Sequence, residues 1–189
     1  MRKDSLAFLV VGFVIGFAAL YSWTKHREPQ IVSATPVPFQ PGQQAQSPAP
    51  PSVDMAQVRK LQDRIKSNPK DHDALIELGN INYDQRNFSD AAGFYKRALE
   101  VQDNLDVRTD LGTTLFYQDK FDEAIVELTQ VLVRNPTHAQ ALFNLGVVML
   151  HGKNSPEGAL QAWEKLVDTN PSFPQIEAVK EQINSLKKR

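Results

Sequence analysis

The sequence predicts an all-α protein: a solenoid of helix–turn–helix repeats, preceded by one transmembrane helix and a disordered proline-rich linker. Three observations carry that reading. Residues 5–24 are apolar and without charge, residues 25–53 are crowded with proline, and residues 54–189 repeat themselves at a period near 34. The 189 residues balance 21 Lys and Arg against 22 Asp and Glu, which argues against a nucleic-acid partner, since such proteins carry a basic surplus. The absence of cysteine excludes disulfides, zinc–thiolate sites and thiol catalysis, and leaves the redox compartment open.

Residues 1–4 are a short tail. Twenty helical residues, 5–24, reach about 30 Å, the thickness of a bilayer's hydrocarbon core. Tyr21 and Trp23 stand at one end, where amphipathic rings favour the headgroup level. A cleaved signal peptide is the alternative, but its apolar core would be long and its nearest small-residue site, Val32-Ser33-Ala34, distant. A retained signal anchor is therefore expected. The basic flanks, Arg2 and Lys3 against Lys25 and Arg27, barely discriminate orientation. The free N-terminus tips the count towards N-inside, which places the soluble domain outside the cytoplasm, on the periplasmic side in a bacterium. Gly12, Gly16 and Ala19 share one helix face, a spacing that lets two membrane helices approach and dimerise, although glycine is also simply common in such helices.

Seven prolines fall within residues 28–52, with Gln, Ser and Ala between them. Proline removes backbone donors and blocks helix, so the segment reads as an extended spacer. Pro38 and Pro41 also match a docking site for a PxxP reader, a less economical reading.

Beyond residue 54 the chain repeats. Leu78-Gly79 recurs as Leu111-Gly112 and Leu145-Gly146, Ala91 as Ala124 and Ala159, and Asn68-Pro69 as Asn135-Pro136 and Asn170-Pro171. Phe88 and Phe121 recur at one turn. This pattern resembles the tetratricopeptide repeat, with residues 54–70 as an N-terminal half repeat, 72–104, 105–138 and 139–172 as three repeats, and 174–188 as a capping helix. Eight helices result. Each glycine is expected where the two helices of a pair cross, opposite Ala91, Ala124 or Ala159, with Leu75, Leu78, Leu111, Leu142 and Leu145 as the stripe of the first helices. Tyr95, Leu128 and Trp163 fill the second helices, and Ala98, Val131 and Leu166 face the next repeat. Thr137 and Gln140 have capping-box spacing. Three departures read as ordinary degeneracy: Asp103 in place of a proline, Arg108 in place of a bulky apolar residue, and one extra residue near Gly152-Lys153-Asn154-Ser155 that lengthens a turn.

No catalytic residue, cofactor site or metal site is expected. The four histidines are scattered without ligand spacing, the glycines are packing glycines, and Asn87-Phe88-Ser89 matches a glycosylation acceptor by chance. In a solenoid of helix pairs the first helices line the concave face. Spacing from each glycine places Asp73, Ile76, Glu77, Asn80, Tyr83 and Asp84 there in the first repeat. The second contributes Asp106, Thr109, Asp110, Thr113, Phe116 and Tyr117, and the third Gln140, Phe143, Asn144, Val147, Leu150 and His151. Five acids without Lys or Arg, beside apolar and aromatic groups, suit a protein or peptide client of basic and apolar character. The alternatives are solvated residues without a specific partner, or a self-associating membrane scaffold. Repeats that clamp the C-terminal carboxylate of heat-shock chaperones use Lys, Arg and Asn on this face. The matching places here hold Ile76, Asp110, Gln140 and Asn144, and only Asn80 agrees, so that subtype is disfavoured. The layout of anchor, tether and short repeat array is similar to bacterial repeat proteins of envelope assembly, among them the subunits that present apocytochromes in cytochrome c biogenesis.

Overall fold

The structure is a computed structural model and describes residues 53–188. The expected anchor, linker and Gly12, Gly16 and Ala19 face lie outside the described residues. No helix among the described residues is long and apolar enough to cross a membrane. Eight α-helices follow in order: α1 (Met55–Ser67), α2 (His72–Asp84), α3 (Phe88–Val101), α4 (Leu105–Phe116), α5 (Phe121–Arg134), α6 (Ala139–Val147), α7 (Pro156–Thr169) and α8 (Ile176–Lys187). No strand occurs among the described residues. Helix α2 packs on α3, α4 on α5 and α6 on α7, each pair resting on its neighbours in sequence, with α1 and α8 at the ends.

The turns explain the boundaries. Asp54, Asp71, Asn104 and Ser155 cap α1, α2, α4 and α7 by accepting from backbone N–H groups one turn in. The cap of α6 is His138, whose Nδ1 accepts from the Ala141 N–H at 3.2 Å, and not the expected Thr137, whose hydroxyl instead turns back to Asn135 Oδ1 at 3.2 Å. Asn68, Asn135 and Asn170 end α1, α5 and α7, and the prolines that follow fall in the gaps, where a missing donor costs nothing. Within each pair the turn contains one left-handed residue, Arg86, Asp119 and Asn154, with φ of 62°, 59° and 50°.

The core follows the repeat. Tyr95, Leu128 and Trp163 are at most 1% exposed, as are Ala91, Ala124, Ala159, Ala98, Val131 and Leu166. The atoms nearest a Cβ built on each glycine belong to these large side chains. A Cβ on Gly79 would stand 2.5 Å from Tyr95 Cε1, and one on Gly112 2.8 Å from Leu128 Cγ, with the Ala124 carbonyl at 3.4 Å. On Gly146 it would stand 2.1 Å from Trp163 Nε1. The alanines let the helices close; the residue one turn later lies over the glycine. Every buried hydrophobic residue among those described lies between Leu61 and Ile183. Residues 50–189 form one compact unit.

The departures compensate one another. Arg108 donates to Asp103 at 2.9 and 3.2 Å, to Glu127 at 2.6 Å and to Gln130 at 2.7 Å, and Arg134 also binds Asp103. The two residues that break the repeat pattern thus pair, and they tie α4 to α5. The extra residue of the third repeat is absorbed within the helix: α6 runs on into a π-helical turn, Val148–Gly152, the local widening that one inserted residue produces.

Candidate binding face of the first helices

Helices α2, α4 and α6 adjoin one another along one side of the array. Tyr83 of α2 meets Tyr117 of α4 edge-on, with centroids 5.9 Å apart. Asn144 of α6 donates to Thr113 Oγ1 of α4 at 2.7 Å, and His138 Nε2 lies 3.2 Å from Asp106 Oδ1. Since Nδ1 of that histidine accepts from Ala141, Nε2 carries the proton in the neutral ring and donates to the carboxylate.

The expected surface residues divide into three groups. Asp73, Asp84, Asp106 and His151 are exposed. Ile76, Glu77, Asn80, Tyr83, Asp110, Phe116, Tyr117, Gln140, Val147 and Leu150 are partly buried. Thr109, Thr113, Phe143 and Asn144 are buried, at 2%, 8%, 1% and 4% exposure, and correct the expectation that they face solvent. Asn144 and Thr113 bond to each other between repeats, and the other polar groups are satisfied within their own helices. Thr109 and Thr113 return their hydroxyls to the carbonyls of Leu105 and Thr109, and Gln140 donates to Asn144 Oδ1 at 2.9 Å. Phe143 rests against Phe173, and its carbonyl accepts the Trp163 indole N–H at 3.1 Å.

The aromatics also pack on one another. Phe88 stacks on Tyr117 at 4.7 Å, Tyr83 lies edge-on to Phe88, and Phe116 bridges Tyr117 and Phe121. Burial raises the Tyr83 phenol well above its ordinary range, aided by the neighbouring Tyr117 phenol, and burial also raises Tyr117. Asn80 Oδ1 accepts from the Tyr95 hydroxyl at 2.8 Å, which leaves its amide N–H groups for other partners.

Helices α2, α4 and α6 contain Asp73, Glu77, Asp84, Asp106 and Asp110, no lysine, and Arg108 as their one arginine. Arg108 points its guanidinium towards Asp103 and Glu127, so it does not offset the acids of the face. Those acids are not bare. Glu77 accepts from Gln57 Nε2, Asp73 lies 3.5 Å from His72 Nδ1, Asp106 has His138, and Asp84 and Asp110 also have partners. Sequence reasoning missed Gln57 and His138. The signal for His138 was its place after Asn135-Pro136-Thr137 at a helix start; Gln57 left no signal, because its contact crosses from the end helix to α2.

A family model described as the tetratricopeptide repeat matches residues 58–105 and 109–174. Among curated proteins, the formate-dependent nitrite reductase complex subunit NrfG of Escherichia coli O157:H7 is 27% identical over 137 residues, covering 70% of this chain and 68% of NrfG. Among solved structures, MamA is 23% identical, covers 69% of this chain and 81% of its own, and superposes with a TM-score of 0.59. YrrB, described as a repeat protein with an unusual peptide-binding site, is 23% identical with a TM-score of 0.60, covering 66% of this chain and 64% of its own. The first repeat domain of Spaghetti (RPAP3), solved with the HSP90 peptide SRMEEVD, is 17% identical with a TM-score of 0.56, covering 62% and 90%. These structural likenesses establish the fold.

Proposed function

The chain belongs to the tetratricopeptide repeat family, and from that premise we propose that it is a membrane-anchored adaptor that holds a segment of another protein against the face built by α2, α4 and α6. The observation that carries the reading is the charge of that face: five acids on α2 and α4 and no residue of opposite sign on α6, with the one arginine turned away into its own ion pairs. A segment carrying Lys or Arg beside apolar residues fits it, the acids guiding the approach and Ile76 and Val147 offering apolar contact. Because each acid already has a partner inside the protein, the charges steer and orient the client more than they hold it. An acidic C-terminal peptide of the kind bound by the HSP90-binding neighbour is repelled here. Similarity to NrfG, a subunit of the formate-dependent nitrite reductase complex, supports a role within a protein complex, with cytochrome c biogenesis as the setting that the layout of anchor, tether and repeats resembles.

Calorimetry with residues 53–189 and a peptide alternating Lys with Leu tests the site. Asp106→Lys with Asp110→Lys is expected to weaken binding about tenfold at low salt, and equal affinity for parent and variant refutes the acidic face. A pulldown from native membranes separates adaptor from self-associating scaffold: recovery of this chain alone favours the scaffold. A reporter fused after Arg189 tests the extracytoplasmic orientation, and a mature N-terminus near Thr35 would show that the anchor is removed.

A further inference from the structure

A second surface, with different chemistry, opens at the N-terminal end of the array. A groove of about 860 Å³ lies between α1 and α3 and reaches the C-terminal half of α2. Its apolar wall is Val58, Ile81 and Phe94, all partly exposed, the outer edge of the small core that Leu61, Ala74 and Leu78 form apart from the main one. Met55, 59% exposed, continues that wall.

Three features define what fits. The first is Gly93, in the middle of α3. A helix-interior glycine costs stability, and the other helix glycines of the repeats repay it by close packing. Gly93 does not, because a Cβ there meets nothing within 4 Å. The position leaves space for atoms from outside the chain. One repeat on, 33 residues later, Gly93, Phe94 and Ile81 correspond to Val126, Glu127 and Thr114, so the second pair does not repeat this wall. The second feature is exposed hydrogen-bonding capacity. Asn87 is the N-cap of α3, yet its carboxamide makes no capping bond, and the side chains of Gln62 and Ser89 are exposed in the same lining. The third is charge. The two ionic residues of the lining, Asp90 and Arg97, are opposite in sign, and Arg97 is held over the Phe94 ring at 5.8 Å from its centroid.

We propose that this groove binds an extended, uncharged, apolar segment of a partner protein. An extended backbone brings unpaired N–H and C=O groups, and carboxamides both donate and accept, so Gln62 and Asn87 can engage such a backbone while its side chains cover Val58, Ile81 and Phe94. A helical ligand satisfies its own backbone and leaves those groups unanswered. A charged segment loses hydration against an apolar wall with no net counter-charge. The acidic face of the first helices therefore selects one kind of segment and this groove another.

The test is nuclear magnetic resonance of isotope-labelled residues 53–189, titrated with the capped hexapeptide acetyl-Val-Ala-Leu-Ser-Val-Ala-amide. Saturable shifts are expected at the amides of Ser89, Gly93 and Phe94. Gly93→Leu fills the open space without touching the core, so it folds, and it should weaken binding at least tenfold; Asp106→Lys, on the other face, should leave it unchanged. A peptide with Lys in place of Leu should bind several-fold more weakly. The proposal is overturned if the shifts fall on α4 and α6 or persist in Gly93→Leu. It is equally overturned if a helical peptide of equal composition binds more tightly, or if millimolar hexapeptide causes no shift.

Discussion

Phe143 shows how position overrides type at the residue scale. An aromatic at the right spacing for the open face is instead sealed at 1% exposure, its ring against Phe173 and its carbonyl accepting from the indole N–H of Trp163. Phe143→Ala should therefore unfold the domain more easily, by about 3–5 kcal/mol, since it leaves a cavity in a close-packed core. Urea denaturation measures it; a loss under 1 kcal/mol means the ring is not packed as described. The glycines give a paired prediction. Gly146→Ala forces a methyl group 2.1 Å from Trp163 Nε1 and should cost roughly 1–3 kcal/mol by overpacking. Gly93→Ala has open space and should gain about 0.8–1 kcal/mol from helix propensity alone. Opposite signs for two identical substitutions separate packing from propensity, and thermal melts of the two variants read them.

The turns carry the strain at the element scale. Each helix pair reverses through one non-glycine residue with positive φ, at Arg86, Asp119 and Asn154. The left-handed conformation costs an Arg side chain roughly 1–2 kcal/mol, and Asp and Asn less. Arg86→Gly should stabilise by up to about 1 kcal/mol, the relief of strain being partly offset by a more flexible unfolded chain. Asp119→Gly and Asn154→Gly should do less. Denaturant midpoints for the three variants rank them, and a loss of stability at Arg86 would show that its side chain holds the turn. The π-helical turn that ends α6 belongs to the same scale. It takes up the one residue by which the third repeat exceeds the second, and the contact of Gly152 with Phe121 keeps the widened turn against α5.

For the whole molecule, residues 53–189 should be soluble, helical and cooperative in melting, because stacked repeats bury their stripes only together. Circular dichroism with strand content or a non-cooperative melt would refute this. Stability should fall at both pH extremes. The Arg64 guanidinium, with bonds of 2.8 and 2.9 Å, holds the Asp71 carboxyl below its ordinary range. That contribution is present above the unfolded carboxyl's pKa, about 4, and is lost as the pH drops through the lower folded value. Tyr83 and Tyr117 are raised by burial, so their contribution is complete below the unfolded phenol's pKa, about 10, and is lost as the pH rises through the folded values. Asp71→Asn should flatten the acid limb, and Tyr83→Phe the alkaline one, in melts taken across pH 2–12.

The sequence by itself determined the repeat. Glycine and alanine spacings near 34, with asparagine–proline stops, set the number of helices and the identity of the core stripe, because each repeat needs a small residue where helices cross and a stop where the chain turns. The tertiary structure alone decided which residues of the first helices remain on the surface. Thr113 and Asn144 stand 31 residues apart and look like solvent positions until their repeats stack and they bond to each other. Asp103 and Arg108 look like errors of the pattern until the guanidinium closes on its carboxylates across two helices. Local spacing fixes which face of a helix a residue occupies; whether that face meets water or the next repeat depends on side chains about a full repeat away, and no window of one repeat contains both.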